Sequence, residues 1–131
     1  MVLYIEVLCI GAFMELSKDL VAASATPLVL SILKEGDSYG YAIIKRVKEL
    51  SEEEMNWTDG MLYPVLHRLE KQRYISSYWQ KSQSGRRRKY YSLTREGGDN
   101  LENLKSQWRL VNKTLNRTWK QGLRIQSEGA Y

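Results

Sequence analysis

Cysteine and histidine are nearly absent from this chain. Cys9 and His67 are the single representatives of their types among 131 residues. One cysteine excludes an intrachain disulfide, and one of each cannot build a four-ligand zinc site. No metal and no other cofactor is therefore expected. No GxxxxGK[ST] phosphate loop occurs. With His67 as the lone imidazole, no nucleophile–base pair can be assembled around a histidine, and no motif suggests an enzyme. No apolar run is long enough to span a bilayer, so a cytoplasmic protein without a membrane partner is expected.

Charge is present, but unevenly. The net charge is +5 and 43% of residues are apolar, enough for one modest domain. A chain of this size leaves much surface uncovered, which favours pairing with a second copy. From Lys71 to Arg95 there are eight Lys or Arg and no Asp or Glu, whereas eleven of the fifteen acids precede that stretch. Such a local field suits a polyanionic partner.

The first thirteen residues, MVLYIEVLCIGAF, are apolar but carry Glu6, no basic n-region and no A-x-A site. They are expected to precede the true start at Met14; the alternative is a real strand or membrane-associating tail. Beyond them Ser17 caps a helix running to Leu33, in which Thr26-Pro27 either restarts or kinks the chain. Asp37 or Ser38 is expected to cap the next helix, with Ile43, Ile44, Val47 and Leu50 as its stripe. SEEEMNW reads as a solvated connection or a fraying helix end. TDGMLYPVLHRLEKQ gives a third helix burying Leu62, Val65, Leu66 and Leu69, with Tyr63, His67 and Arg68 outward. Pro64 is awkward in a helix interior, so a start near Met61 after a turn at Thr58 to Gly60 is expected, with a kink as the alternative.

The period then changes. YISSYWQK and RRKYYSL carry aromatic and β-branched residues typical of strands, joined by SQSG. Two short strands with a basic tip after three helices read as a wing. Arg86, Arg87, Arg88 and Lys89 lie at its tip and returning edge, with one of Tyr90 and Tyr91 facing inward. These cations suit phosphates or a narrow minor groove; the bland alternative is a charged edge that blocks strand aggregation. Thr94 caps a last helix, weakened early by Gly97 and Gly98. Leu101, Leu104, Trp108, Val111 and Leu115 form a heptad seam for a second copy, or a face for this chain's own core.

Trp108 sits mid-helix. Paired across a two-fold axis, two such indoles would form a slot for a planar aromatic molecule, flanked by Val111; the alternative is simple interface packing. Trp119 shares its azimuth. Asn112 is neutral, so an acid for a cationic ligand would come from Glu15 or Asp19.

DSYGYAIIKRV, MLYPVLHRLEKQRYISSYW, SGRRRKYYSLTREG and SQWRLVNK, in that order and spacing, resemble the PadR family of bacterial transcriptional regulators over roughly residues 17 to 120. Within it the chain is most similar to the small subgroup with a single carboxy-terminal helix, which includes lactococcal multidrug-responsive repressors. The resemblance implies an α+β, mainly α, winged helix-turn-helix with a C-terminal dimerisation helix. It further implies a homodimer that represses a gene on double-stranded operator DNA and is released by an aromatic small-molecule effector. By position it places Thr58, Tyr63, Pro64, His67 and Arg68 in the recognition-helix block and Gly85, Arg86 and Arg87 in the wing block. Trp108 falls where the multidrug branch carries a pocket tryptophan. The implied organisation is an extension over 1–16, the winged domain over 17–94, the dimerisation helix over 95–122 and a tail over 123–131. Arg73 departs from the family, which usually has glycine there: either the turn differs or Arg73 is a further phosphate contact. Met61 stands where threonine is common, and the first thirteen residues have no counterpart.

Overall fold

The computed structural model describes residues 14–129, and of 121–129 the backbone course alone. The expectations for residues 1–13 fall outside the described residues. So do the side chains of the proposed 123–131 tail.

Helix α1 spans Lys18–Glu35. Ser17 Oγ accepts the Leu20 N–H at 3.2 Å, and Asp19 lies in the positive first turn. Pro27 cannot donate to the Ala23 carbonyl, yet one helix continues through it. Ala25, Val29, Leu30, Ile32 and Leu33 supply its buried face.

The next start differs from the expected cap. Ser38–Tyr39 form a short strand, β1, and neither Asp37 nor Ser38 caps helix α2, Gly40–Leu50. Tyr39 holds the cap position without a side-chain bond, because its extended backbone is committed to a ladder with a strand far along the chain. The Asp37 carboxylate instead accepts from the Tyr78 hydroxyl at 2.7 Å. Ile43 and Val47 are buried and Ile44 half-buried, but Leu50 is 52% exposed. Periodicity sets its azimuth, not whether another element reaches the last turn. The acidic connection follows, with Glu52 and Glu53 both left-handed at φ 54° and 73°.

Helix α3 spans Asp59–Lys71 and begins earlier than expected, because Thr58 caps it directly and accepts the Met61 N–H at 3.3 Å. Pro64 therefore lies within the helix rather than in its first turn. Leu62, Val65, Leu66 and Leu69 are buried as their spacing requires. The helix ends in a paired turn, Tyr74 N–H to the Leu69 carbonyl and Arg73 N–H to that of Glu70, both 3.0 Å. Arg73 takes the left-handed position, φ 66°, that glycine usually fills.

Strands β2, Ile75–Lys81, and β3, Arg87–Leu93, form an antiparallel hairpin, and β1 joins the other side of β3 to give the order β1-β3-β2. Ser38 pairs with Tyr91 and Tyr39 with Tyr90, so β3 is central there and an edge only nearer the tip. Helix α4 spans Arg95–Gly129. Thr94 Oγ1 accepts the Gly97 N–H at 3.0 Å and donates to the Arg73 carbonyl at 2.7 Å, tying the helix start to the end of α3. Gly97 has a packing role that composition alone did not reveal: a Cβ there would lie 1.9 Å from the Tyr74 carbonyl oxygen. The core joins α1, α2 and α3 with Ile75, Tyr91 and Leu101, and holds no buried charge among the described residues. This is the expected mainly helical winged fold.

Candidate nucleic-acid interface

Burial of Leu62, Val65, Leu66 and Leu69 dictates which face of α3 is left over. Tyr63, Pro64 and His67 are exposed together on the opposite side, with Thr58 at the cap. Lys71, four residues beyond His67, joins them and was missed; its i, i+4 spacing from His67 was the available signal. Tyr63 is held from beneath, since its hydroxyl would stand 2.7 Å from any Cβ at Gly40. Arg68 lies at the margin of this stripe, where its Nη2 donates to Thr26 Oγ1 on α1 at 2.9 Å.

The wing begins at a turn in which Gly85 sits at φ 84° and donates to the Ser82 carbonyl at 3.0 Å. Arg86 is exposed beside it. The next three cations do not form one patch, because strand alternation splits them. Arg87 and Lys89 share the sheet face of Tyr91, while Arg88 shares that of Tyr90. The Arg87 guanidinium lies 5.2 Å from the Trp79 ring centre and stays exposed. Arg88 lies 4.5 Å from the Tyr39 ring on the other face. Lys89 Nζ is 3.8 Å from Glu70 Oε1 and over the Tyr91 ring, so it is already engaged by α3. On the Arg88 face Tyr90 packs against Tyr39 at 5.3 Å and stacks on Tyr78 at 5.7 Å. The hydrogen bond to Asp37, reinforced by desolvation, holds the Tyr78 phenol above its ordinary pKa. Burial does the same for Tyr91, with the Glu70 carboxylate adding to it.

The α4 seam divides. Leu101 is fully buried and Leu104 packs against the same core. Trp108, Val111 and Leu115 are 36%, 51% and 44% exposed, with Trp119 beyond them at 59%. Trp108 closes an apolar groove of about 370 Å³ against Leu20, Ser24, Pro27 and Leu28 of α1. Val111, Asn112 and Leu115 line a separate, smaller hollow of about 300 Å³, which Trp108 also borders. Glu15 lines neither but borders an adjoining cleft, and Asp19 is exposed apart from all three. Among the described residues no cluster could hold a metal ion, and no helix is long and apolar enough to cross a membrane.

Residues 29–103 match the transcriptional regulator PadR-like family. The chain is 35% identical to a transcriptional regulator from Clostridium thermocellum, Cth-833; the two structures agree with a TM-score of 0.70 over 76% of this chain and 97% of that one. A PadR family transcription regulator from Clostridium difficile R20291 is 40% identical, with a TM-score of 0.62 over 71% and 95%. The Escherichia coli transcriptional regulator YqjI is 28% identical over 67% of this chain, which spans only 41% of that longer protein.

Proposed function

The chain belongs to the PadR-like family of transcriptional regulators, which bind DNA, and on that premise we propose that it is a dimeric repressor released by a planar aromatic molecule. The observation that carries the reading is the exposed stripe Tyr63–Pro64–His67–Lys71 on a buried-backed helix, beside a wing whose Arg86 and Arg87 carry no acidic partner among the described residues. In this reading α3 enters the major groove, where His67 and Tyr63 reach base edges. Arg86, Arg87 and the left-handed Arg73 neutralise phosphates. Arg88 is held on the other sheet face and Lys89 by Glu70, so both contribute less.

The second copy docks on the exposed part of α4. A two-fold axis there brings two Trp108 side chains together and places two recognition helices on one duplex face. A flat aromatic effector stacks on Trp108 in the groove against α1, in the manner of the multidrug-responsive branch of the family. Its position between α1 and α4 lets it alter the spacing of the two DNA-binding halves.

Binding to DNA from upstream of the chain's own coding sequence tests the reading. Preference over random duplex by about a thousandfold or more is expected. Equal affinity for both, with salt sensitivity retained, would leave a sequence-blind nucleic-acid-binding module in its place. For the effector, Trp108→Ala is expected to abolish most of the tryptophan quenching by planar aromatic dyes and most of their affinity.

A further inference from the structure

Between Gly60 and Thr94, the span of α3 beyond its first residue and of the whole wing, the chain carries eight Lys or Arg and one acid, Glu70. Local electrostatics disfavour that acid twice. It sits in the last turn of α3, at the negative end of the helix dipole. With His67 and Lys71 it also lines a hollow of about 300 Å³ at the edge of the recognition stripe, where a carboxylate opposes any nearby phosphate. Two bonds to the wing offset this. Glu70 Oε2 accepts from the Ser77 hydroxyl on β2, and Oε1 lies 3.8 Å from Lys89 Nζ on β3. One side chain of α3 is thus tied to both wing strands. Ser77 is half-buried and pairs in register with the buried Tyr91, over whose ring Lys89 Nζ also lies. The Glu70 side chain is accordingly only 33% exposed and rests against the sheet.

We infer that Glu70 is a positioning residue for DNA recognition, which fixes the wing against α3 and withholds the Lys89 charge from the duplex. Its two bonds set the angle between the two elements that meet the DNA. Lys89 shares the sheet face of Arg87, so without the carboxylate it would add a phosphate contact that carries no sequence information. A Lys89 that turned toward a phosphate would leave the Ser77-held carboxylate beside the duplex, and that charge would cancel the gain. Glu70 therefore lowers affinity for any duplex and raises the preference for the correct one. This rests on the reading of the chain as a sequence-specific DNA-binding protein and names a residue that sets its specificity.

Salt titrations of the full chain on upstream and random duplexes test this. Glu70→Gln keeps an acceptor for Ser77 and removes the charge. It is expected to tighten random duplex roughly tenfold near 0.1 M salt and to steepen the salt slope by about one phosphate contact. The gain on upstream duplex is smaller, because the wing has lost its tie through β3, so the preference falls. Adding Lys89→Gln to Glu70→Gln is expected to return the slope to the parent value while the preference stays reduced. Ser77→Ala leaves every charge in place and is expected to lower the preference about fivefold, as for one lost hydrogen bond, with an unchanged slope. An unchanged slope in Glu70→Gln would overturn the inference, whether affinity falls with a lowered Tm, as for a packing contact, or stays as it was. A steeper slope that persists in the double variant would belong to the acid's general repulsion rather than to Lys89, and would overturn it too. An unchanged preference in Ser77→Ala would remove the positioning role. A parent chain that prefers neither duplex would end the sequence-specific reading itself, and this inference with it.

Discussion

Arg73 is where a single side chain meets opposing demands. Its φ of 66° suits glycine, and a Cβ there costs roughly 1 kcal/mol. Arg73→Gly is expected to raise the urea unfolding midpoint while weakening DNA binding and flattening its salt slope by about one phosphate contact. A variant that gained stability with unchanged DNA affinity would leave Arg73 as strain without a contact. Gly97 is the converse case. Nothing can yield cheaply to a Cβ that meets the Tyr74 carbonyl, so Gly97→Ala is expected to destabilise by about 2 kcal/mol or more, read as a lowered Tm. Among the cations, Trp79 orients Arg87 by stacking. Trp79→Ala should therefore weaken DNA binding where Trp79→Phe, which keeps an aromatic face, largely preserves it.

At the scale of elements, the wing and the α1–α2 corner make separate predictions. Arg86→Ala with Arg87→Ala is expected to flatten the salt slope by about two phosphate contacts with little change in folding, because both side chains are exposed. Lys89→Ala, already committed to Glu70, should change the slope least. At the corner, Arg46 donates to both Glu35 oxygens at 3.0 and 2.8 Å and holds that carboxyl below its usual pKa. A depressed folded pKa means the contribution is present above the usual carboxylate value and is lost as pH falls through the lower folded one. Glu35→Gln should thus lower the urea midpoint modestly at neutral pH. Below the usual carboxylate range the difference from the parent should shrink, as the parent carboxyl protonates too.

For the whole molecule, the divided α4 seam decides which substitution isolates assembly from folding. Leu104 packs on the core, so Leu104→Asp would disturb the monomer as well as any interface. Val111→Asp, half exposed in the single chain, is expected to give a folded monomer by sedimentation and circular dichroism where the parent is a dimer at micromolar concentration. A parent that sediments as a stable monomer would remove the two-fold operator along with the dimer. The tryptophans Trp108 and Trp119 would then be exposed with no partner copy to cover them.

Local chemistry was legible from the residues alone. The helix stripe of α3, the Ser17 and Thr94 caps, the hairpin with its basic tip and the run of four cations all follow from interactions within a few residues, which the spacing of side-chain types records. The tertiary structure decided what depends on distant partners. It made Ser38–Tyr39 a strand, because only the folded chain brings Tyr90 and Tyr91 alongside. It turned Gly97 from a weak helix former into a required close contact. Strand alternation divides the cation run between two faces, but only the docking of α3 decided that, on one of those faces, Glu70 meets Lys89 and leaves Arg87 exposed over Trp79. It also brought Leu16, Met55 and Trp108 from three regions of the sequence to the walls of one groove. Periodicity fixes the direction of a side chain relative to its own element; only the docking of elements fixes what it faces.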